Sequence, residues 1–272
     1  MANYFQDSLG ESCKLYESEA NSKKFLPGLP LLARLDGRAF HTFVRGLNRP
    51  YDLKLMKCMH ETTKYLVAEM NALLGYTQSD EISLLWYFPE ANSQLPFDGK
   101  YQKLVSVMAS MCSVEFYKNL LRYLPEKAET NPEFDCRVWQ VPTRDQALDV
   151  FKWREWDATK NSITMLASSH YSHAELMNKN SKDKHEMIHK AGDNWNNHPA
   201  NFKRGAYFKK ETYETSLSAE ELAKIPENKR PPIGTLFTRS RVVVAEFPPI
   251  TQIKNLEQVI FYKEKIQLKE TV

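Results

Sequence analysis

Leu31-Leu32-Ala33-Arg34-Leu35-Asp36-Gly37-Arg38 is the stretch on which the fold turns. It follows Pro27-Gly28 and Pro30, and its apolar run stops at a carboxylate, a glycine and a cation. A short apolar run bounded by turn formers reads as a buried strand, here ending at Asp36. A second acidic motif, Ser79-Asp80-Glu81, lies between an extended Tyr76 to Gln78 and a β-rich run from Ile82 to Phe88 that Pro89 closes. Carboxylates at strand ends add little to folding but suit a hard cation. Magnesium takes one or two protein carboxylates and completes its shell with water and substrate phosphates. The two motifs therefore point to metal-assisted phosphoryl chemistry, provided the fold unites them.

The surrounding elements supply that condition. Pro50 suits a helix start, and Leu53, Met56, Met59, Thr63, Leu66, Met70 and Leu73 recur at helical period as one core-facing stripe until Gly75. Residues 89–99, with two prolines and Asp98-Gly99, read as a loop. A second helix follows, with Leu104, Val107, Met108, Met111, Val114, Tyr117 and Leu121 on one side and small residues suited to close packing on a sheet. Phe134 to Val141 alternates as a strand. The order strand, helix, strand, strand, helix, strand is the split βαβ or ferredoxin-like plan. In that plan the first and third strands lie side by side and antiparallel, so Asp36 and the hairpin bearing Asp80 share one rim. The fold class expected is α+β, with a core like a polymerase palm and a mainly helical C-terminal extension. The catalytic core is placed at 1–142, and 143–272 is expected to pack on it. Thr143 with Gln146, Ser172 with Glu175 and Ser218 with Glu221 read as capping boxes. The first opens a helix through Trp156, and Arg241 to Phe247 reads as a late strand.

Composition narrows the classes. The 272 residues are 42% hydrophobic, enough for a proper core, and 14 Phe, 13 Tyr and 5 Trp against 9 Gly argue against disorder. The net charge of only +3 means that any nucleic-acid contact comes from local patches. Cys13, Cys58, Cys112 and Cys136 form no CxxC pair and suit reduced thiols in a cytoplasmic protein. The start lacks a secretory signal pattern, and no apolar run approaches the roughly 20 residues of a membrane helix.

Asp36 and Asp80 are the candidate metal pair, with the Gly37 carbonyl as a third oxygen, since an irregular strand end frees it from sheet pairing. Two magnesium ions so held clamp the attacking and leaving oxygens of an in-line displacement. Glu81 is placed to orient a metal-bound water or a nearby basic group. Arg38, His41, Arg49, Lys100 and Lys103 are placed on the same rim, where basic groups and helix N-termini suit triphosphate oxygens. Phe202-Lys203-Arg204-Gly205-Ala206-Tyr207-Phe208-Lys209-Lys210 combines charge for phosphate with rings for stacking. An exposed strand edge guarded by lysines explains the same pattern.

The motifs also carry a family resemblance. Leu26-Pro27-Gly28, Ala33 to His41 and Gly75 to Leu85 resemble the tRNA-histidine guanylyltransferase superfamily. Phe134-Asp135-Cys136-Arg137, Trp153-Arg154 with Asp157 and Asn161, and Phe202-Lys203-Arg204-Gly205 continue the match in family order. The match is nearest to the bacterial and archaeal-type guanylyltransferase-like branch. The resemblance implies a palm-like fold and 3′ to 5′ addition of nucleotides to the 5′ end of tRNA. It implies Asp36, the Gly37 carbonyl and Asp80 as ligands of two Mg2+ ions. Asp36, Gly37, Arg38, Ala39, Phe40 and His41, with Ser79 and Asp80, then form the nucleotide surface. Arg49, Lys100 and Lys103 hold phosphates, and Asn161 and Lys179 stand near the RNA end or a second nucleotide. It further implies ATP, GTP and other NTPs as substrates and a homotetramer built as a dimer of dimers. One departure bears on selectivity. The eukaryotic branch has a His-Ile-Asn-Asn run where this chain has Thr159-Lys160-Asn161-Ser162. That favours template-dependent repair of 5′-truncated tRNA over strict selection of tRNA-His.

Three rivals compete with this reading. A nucleotide cyclase shares the palm logic but needs no RNA surface. His185-Glu186-Met187-Ile188-His189 fits the HExxH zinc-protease pattern, on a helix too short and polar for that fold. A non-catalytic tRNA-binding protein leaves the paired acidic motifs unexplained.

Overall fold

The structure, a computed structural model, describes residues 2–90, 92–232 and 234–270. A helix, α1 (Ala2–Ala20), leads into β1 (Leu31–Gly37), a short α2 (Phe40–Phe43) and α3 (Leu53–Glu69). Then follow β2 (Leu74–Gln78), β3 (Glu81–Trp86), α4 (Tyr101–Tyr123) and β4 (Phe134–Gln140). Beyond these come α5 (Arg144–His170), α6 (His173–Leu176), α7 (Ser181–Lys190), α8 (Ala200–Arg204), β5 (Ala206–Ser216), α9 (Ala219–Ala223), β6 (Leu236–Ala245) and α10 (Leu256–Phe261). The strands form one sheet in the order β4-β1-β3-β2-β5-β6, and all neighbours are antiparallel. The first four carry the expected split βαβ order.

The central strands of the sheet are covered on both faces, which is why β1 is apolar almost throughout. Leu31, Ala33 and Leu35 pack with Ile82, Leu84 and Trp86 under α3 and α4. Leu32 packs on the opposite face with Leu85, Leu74, Tyr76 and α5 residues Ala147, Leu148 and Phe151. Each fully buried leucine, isoleucine or phenylalanine among them contributes about 1.5–3 kcal/mol. A third cluster joins α5 to the small helices through Ile163, Leu166, Ile188 and Phe202, with Tyr51 reaching in from the turn before α3.

Local chemistry explains the element ends. Asp52 caps α3 by accepting from the Lys54 and Leu55 backbone N–H groups. The stripe predicted as far as Leu73 breaks off at Glu69, because Leu74 and Gly75 belong to β2. A Cβ at Gly75 would lie 2.4 Å from Val67, so glycine lets α3 lie close on the strand. All three expected capping boxes form. The first opens a helix that runs beyond Trp156 to His170.

The second half is helical with one addition. The late strand is the second arm of a long β5–β6 hairpin, and β5 returns to the sheet beside β2 through Ala206, Tyr207 and Phe208. The sequence boundary at 142 thus falls in a turn, while the sheet continues across it. The junction depends on Gly205, at φ 76°, where a Cβ would sit 2.5 Å from the Tyr76 hydroxyl and 2.6 Å from the Thr77 carbonyl. Gly205→Ala is expected to cost about 3 kcal/mol, from left-handed strain plus overpacking. Denaturant unfolding checks this, and an unchanged midpoint would contradict it.

Candidate active site

The hairpin between β2 and β3 is two residues long, and Ser79 takes a φ of 53°, the conformation that tight hairpins require at a central position. This turn sets Asp80 beside the end of β1, and the Gly37 N–H donates to the Asp80 carbonyl at 3.2 Å. Gly37 itself cannot carry a side chain, because a Cβ there would lie 2.3 Å from the Phe40 ring. Asp36 and Asp80 therefore meet on the upper rim of the sheet, as the strand order predicts.

Three adjoining hollows meet at Ser79. One holds Asp36, Asp80, Glu81, Arg154, Asn161 and Thr164. The second is formed by Gly37, Ala39, Phe40, His41 and Asp80. The third, roughly 310 Å³, is walled by His41, Arg45, Arg49, Tyr51, Met165 and Phe202 among others. A mostly apolar hollow of that size beside charged groups is the ordinary form of a small-molecule site.

The electrostatics follow from burial. Asp80 is held above the usual carboxylate range by burial, partly offset by the Ser79 hydroxyl that donates to it at 3.0 Å and reinforced by the charge of Asp36. A cation placed between the two carboxylates would relieve that repulsion. The donor set of two carboxylates fits a hard divalent ion. Glu81 is also raised by burial, against the pull of Arg154 and Arg34. Its carboxylate takes both Arg154 contacts, from Nε at 2.7 Å and Nη2 at 2.6 Å. Both Glu81 oxygens are thus committed to the neighbouring Arg154 guanidinium. Arg154 also meets Asp157 at 3.3 Å, and Asn161 donates to Asp157 at 3.1 Å. A chain of polar contacts thus runs from the sheet to α5.

Several predicted residues stand away from the rim or are committed to other contacts. Lys100 and Lys103 are not on the Asp36 rim. In this topology α4 begins at the opposite edge, where Lys100 bridges Lys24 and the neighbouring Leu26 is tied to Gln140 at the far end of β4. The error lay in reading a helix start as an upper-rim position, although β3 runs downward before α4 begins. The Phe40 ring is committed to the core, with centroids 4.8 Å from Phe43 and 5.1 Å from Phe134. It closes the hollow from beneath and is not free to stack on a base. The Arg38 guanidinium pairs with Glu133. Lys203 donates to the Asn196 carbonyl at 2.7 Å and covers Trp195. The Arg204 carbonyl accepts from the Tyr76 hydroxyl at 2.8 Å. Lys179 is exposed in the turn after α6 and lines none of the three hollows.

Other residues near the site were not assigned roles from the sequence. Lys184 on α7 donates to the Thr164 hydroxyl at 3.0 Å, and Thr164 lines two of the hollows. Arg34 lies on the same sheet face as Asp36, and its Nε is 3.9 Å from Glu81 without a hydrogen-bond partner among the described residues. Arg137 is its cross-strand neighbour on β4. For Arg34 the alternation along β1 was a usable signal, since it shares parity with Asp36. Lys184 had none, because its neighbour is set by helix packing. In the HExxH stretch, the His185 ring lies edge-on to Trp195, 5.6 Å between centroids. Among the described residues, no three His, Cys, Asp or Glu side chains are grouped to hold a metal, and no helix is long and apolar enough to cross a membrane.

Comparison with known proteins places the chain and its fold among relatives. Residues 10–142 match the family described as tRNAHis guanylyltransferase. The chain is 32% identical to the tRNA(His) guanylyltransferase of Debaryomyces hansenii over 216 residues, covering 73% of this chain and 80% of that one. Among solved structures, it is similar to a bacterial tRNA(His) guanylyltransferase (Thg1)-like protein in complex with ATP. The TM-score is 0.76 at 32% identity, over 93% of this chain and 98% of the other. A bacterial Thg1-like protein in complex with GTP matches with a TM-score of 0.69 at 33% identity, over 90% and 94% of the two chains.

Proposed function

The chain belongs to the tRNAHis guanylyltransferase family, in its bacterial-type guanylyltransferase-like branch, and from that premise we propose that it repairs 5′-truncated tRNA by template-dependent 3′ to 5′ nucleotide addition. The observation that carries this reading is the union of Asp36 and Asp80 on one rim, beside a hollow large enough for a nucleotide base. Catalysis uses a divalent cation, proposed here as two Mg2+ ions held by Asp36, Asp80 and the Gly37 carbonyl. When bound, they would polarise the phosphoryl oxygens and stabilise the attacking and leaving oxygens.

The reaction has two nucleotidyl transfers. An oxygen of the 5′-monophosphate attacks the α-phosphorus of ATP, and pyrophosphate leaves. The 3′-hydroxyl oxygen of the incoming NTP then attacks the activated 5′-phosphorus, and AMP leaves. A 5′-triphosphate end skips the first stage and releases pyrophosphate directly. The protein's own part is alignment and charge compensation. His41, Arg45 and Arg49 border the apolar hollow, where the two arginines supply positive charge and His41 a ring hydrogen-bond group for the triphosphate. Arg154, fixed by Glu81, presents a guanidinium next to the carboxylates. Ser79 holds the Asp80 carboxylate by its hydroxyl. Asn161 stands at the mouth of the same hollow, toward the RNA end. A cytoplasmic homotetramer, a dimer of dimers, completes the reading.

The test is an addition assay with magnesium, ATP, labelled GTP and other NTPs on 5′-truncated tRNAs of several identities. Template-matched addition to all of them, abolished by EDTA, is expected. Addition to tRNA-His alone would contradict the repair reading.

A further inference from the structure

Helix α5 carries two tryptophans that its packing does not use. Trp153 is 51% exposed and Trp156 61%, and large apolar groups left in water together mark a contact site. They stand three positions apart and so share a helix face. Each ring is already met by a cation. The Arg154 guanidinium carbon lies 4.5 Å from the Trp153 ring centre and the Lys160 ammonium 5.5 Å from that of Trp156. The patch is continuous with the site, since Arg154 and Asn161 of the same helix line the carboxylate hollow. Trp153 and Asn161 are separated by about 12 Å along the helix axis.

We infer that Trp153 and Trp156 form a stacking platform for the unpaired bases of the RNA strand opposite the 5′ end being extended. The inference rests on the function proposed above. Template-copying addition to a 5′ end requires an unpaired strand facing it, and the first of those bases lies within a nucleotide or two of the reacting phosphorus. Two exposed rings beside the exposed Lys160 ammonium suit such a strand, because bases stack while a phosphate meets charge. A dry protein contact is less suited, since charged groups are depleted at the centre of protein interfaces.

The experiment measures binding of the full chain, at fixed salt and without nucleotide, to two acceptor hairpins. One lacks its 5′ nucleotides and has an unpaired 3′ strand, and the other is blunt. The native protein is expected to prefer the first, with quenching of tryptophan fluorescence. Trp156→Ala is expected to weaken that binding about tenfold, the size that loss of one base stack produces, and to leave the blunt hairpin nearly unaffected. Trp156→Phe is expected to restore most of the affinity. Equal binding of the overhang hairpin by native protein and Trp156→Ala overturns the platform. So does a variant that sediments as a smaller species with RNA affinity intact, which would make the patch a contact between copies. Native protein that binds neither hairpin overturns the proposed function itself.

Discussion

Asp80→Asn is expected to fold normally and to lose both nucleotidyl transfers by about a thousandfold or more, the scale on which removal of one charge-stabilising group at a reacting centre is felt. Folding is spared for local reasons. The contact that pins the hairpin to β1 runs to the Asp80 backbone carbonyl, which the substitution keeps. The amide oxygen still accepts from the Ser79 hydroxyl. A buried charge facing Asp36 is removed, so the metal-free variant should melt no lower than the native chain. Magnesium should raise the melting temperature of the native protein and not that of the variant. Single-turnover rates for activation and for addition, measured separately, decide the matter. Native-like rates in magnesium would remove Asp80 from the chemistry.

Arg154→Met is expected to be the most damaging change to stability near the site. It would leave the Glu81 carboxylate buried without its two charge-assisted hydrogen bonds. Breaking one side of a buried pair costs about 3–5 kcal/mol, which for a chain of this length lowers the melting temperature by about 10 °C. Arg34, 3.9 Å away, compensates only in part. The pH dependence has a definite sign. Burial already raises Glu81, and loss of Arg154 removes the largest opposing influence. A carboxyl raised in the folded state favours folding when protonated, and that support is lost as pH rises through its folded value. The deficit of Arg154→Met should therefore shrink on acidification. Adding Glu81→Gln should recover part of the loss at neutral pH, because it removes the unpaired charge. A double variant no more stable than Arg154→Met would show that the pair is not the source of the effect.

The first half of the fold was legible because each element announced its period. Leu31 to Leu35 and Phe134 to Gln140 have strand patterns, and the two helices between them carry apolar stripes that face the sheet. With that order, handedness rules left one topology, and Asp36 and Asp80 fell on one rim. What escaped was contact between distant segments. The Phe202 to Lys210 stretch was ambiguous between an RNA surface and a strand edge, and its pairing with Gly75 to Thr77 is set by Gly205 packing on Tyr76. Lys100 and Lys103 were misplaced because basic residues at a helix start carry no information about which end of the sheet that helix leaves. Lys184 reaches Thr164 only because α7 lies on α5.

The return of β5 to the side of β2 has a consequence for how the protein can be divided. A chain ended at residue 142 would keep Asp36, Asp80 and Glu81, yet β2 would become an outer strand with unpaired backbone groups from Gly75 to Thr77. Open edges of that kind invite pairing with other chains. Such a fragment would tend to self-associate, and the hairpin bearing Asp80 would lose the neighbour that keeps its strand in register.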